Sequence, residues 1–395
     1  MTPSDLTLIR EKQAQLDALL PSLEADAWLV LCREGSDPAT LLFANTEMVG
    51  EAAFLLTKSG QKFAVVADYD VAPIAASGAF AITPYGQGGF EAPLGALLER
   101  AQPKTLALDF SESDPLADGL SVGLYRKLRR VLGWDDFESR IRSAQGILDA
   151  LRSQKTPEEV RRIREAVRVT ERVLDELGAF LRPGVSELEA AAFVKARHRH
   201  YGVTHSFGDG ANVMVGNAGI GHRPASEARV TPGDVVVVDM GVYVEGYTSD
   251  IQRTYYARRE GESGPPESVQ HRFVTGRGAM MRAIDAIAPG KRGFEIDAVA
   301  REHLEAGGIT PYPHALGHQI GRTVHDGGTL LAPLGARYGE RGNVPLRENE
   351  VYTVEPVVHG VTGQSGAPIG LEQDVLVTAQ GAELLSTPPR ELTLI

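Results

Sequence analysis

Val235-Val-Val-Val-Asp239-Met-Gly-Val-Tyr-Val-Glu-Gly-Tyr-Thr-Ser-Asp250-Ile-Gln-Arg-Thr254 reads as two strands folded back on one another, with the turn around residues 244–246. Strands joined there place Asp239 and Asp250 opposite each other, or one diagonal step apart, on the same face of the ribbon. Two carboxylates so placed repel unless a cation lies between them. A buried, unpaired carboxylate costs several kcal/mol, so an aspartate at the end of a valine run needs a partner. That partner is an arginine such as Arg253, a turn to cap, or a metal ion.

Two runs further along repeat the pattern. In Val351-Tyr-Thr-Val-Glu355-Pro and Ile369-Gly-Leu-Glu372-Gln-Asp-Val-Leu-Val an acidic residue again interrupts apolar, strand-like sequence, and neither run contains Lys or Arg. His314-Ala-Leu-Gly-His318-Gln-Ile-Gly321-Arg-Thr-Val-His325-Asp326 adds three imidazoles within twelve residues. Each histidine taken singly suits a core or loop position. As a set, a nitrogen ligand with four carboxylates describes an oxygen-rich site for one or two divalent ions, harder in character than a thiolate zinc site.

Composition narrows the field. The chain has 395 residues, beyond what one hydrophobic core usually fills. Forty Lys+Arg against fifty-two Asp+Glu give a net charge of −12 with no basic block, which argues against nucleic-acid or anionic-membrane partners. The longest hydrophobic run is six residues, 27–32, too short for a membrane span. Charges early in the N-terminus argue against a secretory signal, so the expectation is a cytoplasmic protein. The single cysteine, Cys32, lies in an apolar run and reads as a core residue, which leaves no cysteine-based zinc site. No Walker loop, dinucleotide fingerprint or Gly-x-Ser-x-Gly elbow occurs.

Residues 1–150 alternate an amphipathic start (6–23) with apolar runs at 28–32, 52–56, 63–67 and 105–108, the pattern of a small α/β domain. Gly86-Gln-Gly88-Gly89 reads as turn. At Thr156-Pro157-Glu158-Glu159 an N-cap, a first-turn proline and a capping-box glutamate announce a long helix, so residues 151–395 form a second domain. Within it, Pro183-Gly184 leading into 188–192 is echoed by Pro289-Gly290 leading into 296–300, as expected of two related halves.

On these motifs the sequence resembles the pita-bread metallopeptidases, a family that comprises methionine aminopeptidase, aminopeptidase P, prolidase and the metal-free creatinases. Asp239-Met-Gly241 with Asp250 eleven residues later matches the Asp-x-Gly…Asp motif. His318 stands at the second histidine of His-x-x-Gly-His, Glu355 in Thr-[Val/Ile]-Glu-Pro, and Glu372 at the opening of Glu-x-x-Val-Leu-Val. His222 and His325 match positions that contact substrate rather than metal. The fold class implied is α+β: a pita-bread, creatinase/methionine aminopeptidase-like C-terminal domain behind a small α/β creatinase-like N-terminal domain.

The resemblance also implies an activity. Length and spacing are similar to prolidase and aminopeptidase P, so the expected reaction is hydrolysis of an Xaa-Pro bond, with dipeptides as first choice and longer Xaa-Pro peptides as second. Two divalent ions (Mn, Co or Zn) would be held by Asp239, Asp250, His318, Glu355 and Glu372, with Asp239 and Glu372 bridging. Glu355 would also move the proton, with His222 and His325 on the substrate, and a homodimer is implied. Two departures stand out: Gly370 where relatives commonly carry Arg, and His359 where Tyr is usual. They bear on peptide-length preference. A peptide-binding protein that hydrolyses nothing, and a metal-free amidinohydrolase, are the rival readings.

Overall fold

A computed structural model describes residues 2–208, 210–216, 223–360 and 366–395, and the chain divides into two compact units. The first comprises Met1–Arg152 with Thr156–Glu158, the second Ser153–Lys155 with Glu159–Ile395. No helix among the described residues is long and apolar enough to cross a membrane.

The first unit is built on six strands, β1 (Ala27–Cys32), β2 (Ala52–Thr57), β3 (Lys62–Ala67), β4 (Ala81–Tyr85), β5 (Leu106–Leu108) and β6 (Ile141–Ser143), in the order β4-β3-β2-β1-β5-β6. Alternation along β1 explains why every residue in it is buried. Trp28, Val30 and Cys32 join one core with Leu16 of the first helix, whereas Ala27, Leu29 and Leu31 join another with Leu94, Leu98, Leu124 and Leu128. Cys32 is thus a core side chain. Of the two edge strands, β4 is largely exposed and contains Pro84, which an edge position tolerates. Neither β4 nor β6 carries the apolar signal that marks the inner four.

The second unit contains β7 (Thr204–His205), β8 (Asn212–Val215), β9 (Val235–Met240), β10 (Val242–Val244), β11 (Tyr247–Thr248), β12 (Ile251–Tyr256), β13 (Val351–Val354), β14 (Val357–Val358), β15 (Ile369–Gly370), β16 (Gln373–Thr378), β17 (Gly381–Leu384) and β18 (Thr393–Leu394). They form sheets ordered β18-β12-β9-β8, β11-β10-β7, β13-β16-β17 and β14-β15. Around them lie two helix pairs, Pro157–Phe180 with Glu187–Tyr201 and Glu267–Ala286 with Gly293–Ala306. The second helix of each pair opens on a first-turn glutamate whose carboxylate accepts the backbone N–H of the residue before the helix, Glu189 from Ser186 (2.8 Å) and Glu295 from Arg292 (2.7 Å), 106 residues apart, which is the structural content of the sequence echo. Apolar residues at helical spacing, Phe273, Met280 and Ile284 on one helix and Ile296, Ala300 and Leu304 on the next, bury against Val235, Val237 and Val375.

The expected hairpin is present but broken in two. Glu245 and Gly246, both at positive φ, join β10 to β11, whereas β9 pairs with β12 in a different sheet. The break falls at Gly241, where an added Cβ would sit 1.8 Å from the carbonyl oxygen of Ser249. Only glycine allows the two chains to pass so closely.

Candidate metal centre

The register of β9 against β12 sets the first two carboxylates. Gln252 lies directly across from Asp239 and Asn212 of β8 flanks it on the other side, so these three polar groups form one row across the sheet. The row below is Met214, Val237 and Thr254, and Met214 and Val237 belong to the core. Asp250 precedes β12 by one residue and shares the face of Gln252, one diagonal step from Asp239.

Two more strands bring the remaining groups. Glu355 follows β13 and Glu372 precedes β16, which pair antiparallel. His318 is strapped to β13: its N–H donates to Thr353 Oγ1 (3.1 Å) and its carbonyl accepts from Thr353 N–H (2.9 Å). The glycine of the His-x-x-Gly-His motif is required there, because a Cβ on Gly317 would meet the Thr353 carbonyl oxygen at 1.9 Å. Nδ1 of His318 lies 3.2 Å from the Gln319 carbonyl oxygen, which favours a proton on Nδ1 and turns the Nε2 lone pair toward the carboxylates. Nε2 is 3.3 Å from Glu355 Oε1 and 3.8 Å from Asp250 Oδ2.

Ligand atoms of Asp250, His318 and Glu372 all lie within 4.8 Å of one another. Asp239 and Glu355 line the same cavity of about 740 Å³ as Asp250 and His318, together with Gln252, His314 and His325. The His325 ring centroid is 4.3 Å from that of His318. His325 is carried on a segment held by a buried ion pair between Asp326 Oδ2 and Lys155 Nζ (2.8 Å). His314, the other candidate in the motif, points Nδ1 at the Ala315 carbonyl oxygen (2.7 Å). His222 lies outside the described residues.

Oxygen atoms Oδ1 of Asp239, Oδ1 of Asp250 and both of Glu372 are buried without a hydrogen-bond partner. No lysine or arginine among the described residues forms an ion pair with Asp239, Asp250, Glu355 or Glu372; His318 is their nearest basic neighbour. Arg253, the alternative partner on sequence grounds, donates instead to the carbonyl oxygens of Gln252, Glu372 and Thr387. Burial, joined by repulsion from Glu355, pushes the carboxyl group of Asp239 up to about 7. Burial and neighbouring carboxylates hold Asp250 and Glu372 well above the usual carboxylate range. Orphaned oxygens, one lone-pair nitrogen and strained ionisation together fit divalent cations.

Three participants carry no motif signal. Asp374 is buried below the cluster and accepts the Asp250 N–H at 3.2 Å. Asn212 donates to Asp239 Oδ2 at 3.4 Å, and Gln252 to Glu355 Oε2 at 3.3 Å. For Gln252 the period-two alternation from Asp250 was the available signal.

A family model described as metallopeptidase family M24 matches residues 161–379. The Xaa-Pro dipeptidase of Pyrococcus furiosus is 30% identical over 247 residues, 62% of this chain and 66% of that protein. Among solved structures, an Xaa-Pro dipeptidase from Bacillus anthracis superposes with TM-score 0.79 at 24% identity, covering 98% of this chain and 100% of the other. An X-Pro aminopeptidase from Thermotoga maritima does so with TM-score 0.74 at 26% identity, covering 97% and 99%. The architecture is therefore that of the pita-bread fold with its smaller α/β domain.

Proposed function

Because the chain belongs to metallopeptidase family M24, we propose that it is an Xaa-Pro dipeptidase, cleaving short peptides that carry proline after the scissile bond. In this reading residues 151–395 are the catalytic domain and residues 1–150 the creatinase/prolidase-like domain before it. The observation that carries it is the cluster of buried carboxylates with unpartnered oxygens and one aimed imidazole beside a cavity of about 740 Å³.

Asp239, Asp250, His318, Glu355 and Glu372 would together hold divalent cations; Mn, Co and Zn all suit this donor set. Bound there, such ions supply a water acidic enough to ionise near neutral pH and an electrophile for the scissile carbonyl. The chain's own groups do the rest. The Glu355 carboxylate, whose Oε1 is turned toward His318, accepts the proton of the attacking water and returns it to the departing proline nitrogen. His325, on the cavity wall, and His222 hold the substrate and stabilise charge developing on its carbonyl oxygen.

The test is hydrolysis of an Xaa-Pro dipeptide and an Xaa-Pro tripeptide side by side, after chelator treatment and again after adding manganese. Metal-restored cleavage of the dipeptide alone supports the dipeptidase. Cleavage of the tripeptide shifts the reading to an aminopeptidase P, which the similarity to the Thermotoga enzyme favours. With metal bound and neither peptide cut, the Xaa-Pro reading fails.

A further inference from the structure

We propose that Gln252 is a positioning residue that fixes the Glu355 carboxylate, and that residue 370 is glycine because Gln252 occupies the space a side chain would need. The inference rests on the role given to Glu355 above.

Gln252 is 4% exposed, lines the cavity and faces the cluster from β12, in register with Asp239. Its Nε2 donates to Glu355 Oε2 at 3.3 Å. The other carboxylate oxygen, Oε1, faces His318 Nε2 at 3.3 Å and Thr353 Oγ1 at 3.4 Å. A carboxylate offers acceptors only, so the amide must present its nitrogen to Glu355. Its Oε1 is then directed the other way, where it is buried with no hydrogen-bond partner. An orphaned acceptor costs stability, and this one persists because the donor half of the same amide is spent on Glu355.

Gly370 lies beneath that oxygen. A Cβ there would sit 2.6 Å from Gln252 Oε1 and 2.8 Å from Val237 Cγ1. The backbone cannot retreat easily, because Thr254 Oγ1 donates to the Gly370 carbonyl oxygen (2.7 Å) and accepts from its N–H (3.0 Å). The arginine expected at this position has no room while Gln252 holds its rotamer.

The test compares the wild type with Gln252→Ala, Gly370→Ala and the double variant, each checked for folding by circular dichroism. Kinetics on an Xaa-Pro dipeptide are paired with calorimetric titration of manganese into chelator-stripped protein. In Gln252→Ala, kcat falls roughly ten-fold with KM nearly unchanged, and manganese affinity falls about ten-fold, as for other groups that orient a ligand. Gly370→Ala, which displaces the amide without touching Glu355, shows the same loss. In the Gln252→Ala background its effect is smaller, with only the contact to Val237 remaining, since coupled sites are non-additive. Gln252→Ala with kcat and manganese affinity within about two-fold of wild type overturns the inference, as does full additivity of the two changes. If the wild type cleaves no Xaa-Pro peptide, the dipeptidase reading fails alone, and the manganese titration still decides the role of Gln252.

Discussion

Asp239 and His325 face one cavity and answer to different demands. Asp239 has a buried, unpartnered oxygen and a carboxyl group pushed upward by burial and by Glu355, which suits the ligand role proposed for it. Asp239→Asn keeps the shape and removes the charge. Metal content should fall, and kcat with it by at least ~10²-fold, the scale on which metal-site ligands and their supports act. His325 instead stands beside His318 on a loop anchored through Asp326 and Lys155. Its removal in His325→Ala should leave metal content intact while kcat drops about 10²-fold, as for loss of one donor to a developing oxyanion. Elemental analysis alongside kinetics separates the two, and a His325→Ala protein depleted of metal would move that residue into the ligand set.

Within one element, the helix Glu187–Tyr201, a single buried glutamate ties distant segments together. Glu187 accepts from Arg223 Nη1 and Nη2 (2.7 and 2.6 Å), from the Ser226 N–H and hydroxyl (2.9 and 2.7 Å) and from the Val215 N–H at the end of β8 (2.9 Å). Burial alone would raise its pKa, but these five donors outweigh it and lower it from 4.5 to about 2. Between those values the unfolded chain binds the proton and the folded one does not, so stability rises with pH across that window. The contribution is present above pH 4.5 and lost as pH falls toward 2. Glu187→Gln should cost about 3 kcal/mol at neutral pH, the scale for breaking a buried pair from one side. Denaturation curves at several pH values check this: the difference between wild type and variant should shrink toward pH 2, and a pH-independent difference would contradict it. Elements of this kind were only partly legible beforehand. The valine run of β9 and the helix start at Pro157 announce themselves in sequence, whereas β8, β15 and the break at Gly241 depend on approaches between residues far apart in the chain.

Over the whole molecule, the candidate ligands span residues 239 to 372 and are brought together by four strands from two sheets, β9 and β12 of one and β13 and β16 of the other. Spacing along the chain conveyed that carboxylates interrupt buried strands, and so that charge compensation was needed. It could not convey which strands converge, because the pairing of β13 with β16 is decided by the packing of Tyr352, Val354, Val375 and Val377 in the common core. The ligand set was therefore read through family resemblance, and Gln252 and Asp374, which no motif marks, were not. The convergence has a thermodynamic consequence. A fold that gathers buried carboxylates is destabilised until cations bind, and cations that bind only the folded state stabilise it by about 2.7 kcal/mol at a hundredfold excess over Kd. At roughly 2–4 °C per kcal/mol, calorimetric scans should show an unfolding temperature about 5–10 °C higher with manganese than with chelator. Asp239→Asn should lose most of that difference while its chelated form unfolds near or above the chelated wild type, because one buried charge has been removed. An unfolding temperature indifferent to manganese in the wild type would mean that the carboxylates are compensated by protons alone, and the cluster would then have no claim to be a metal centre.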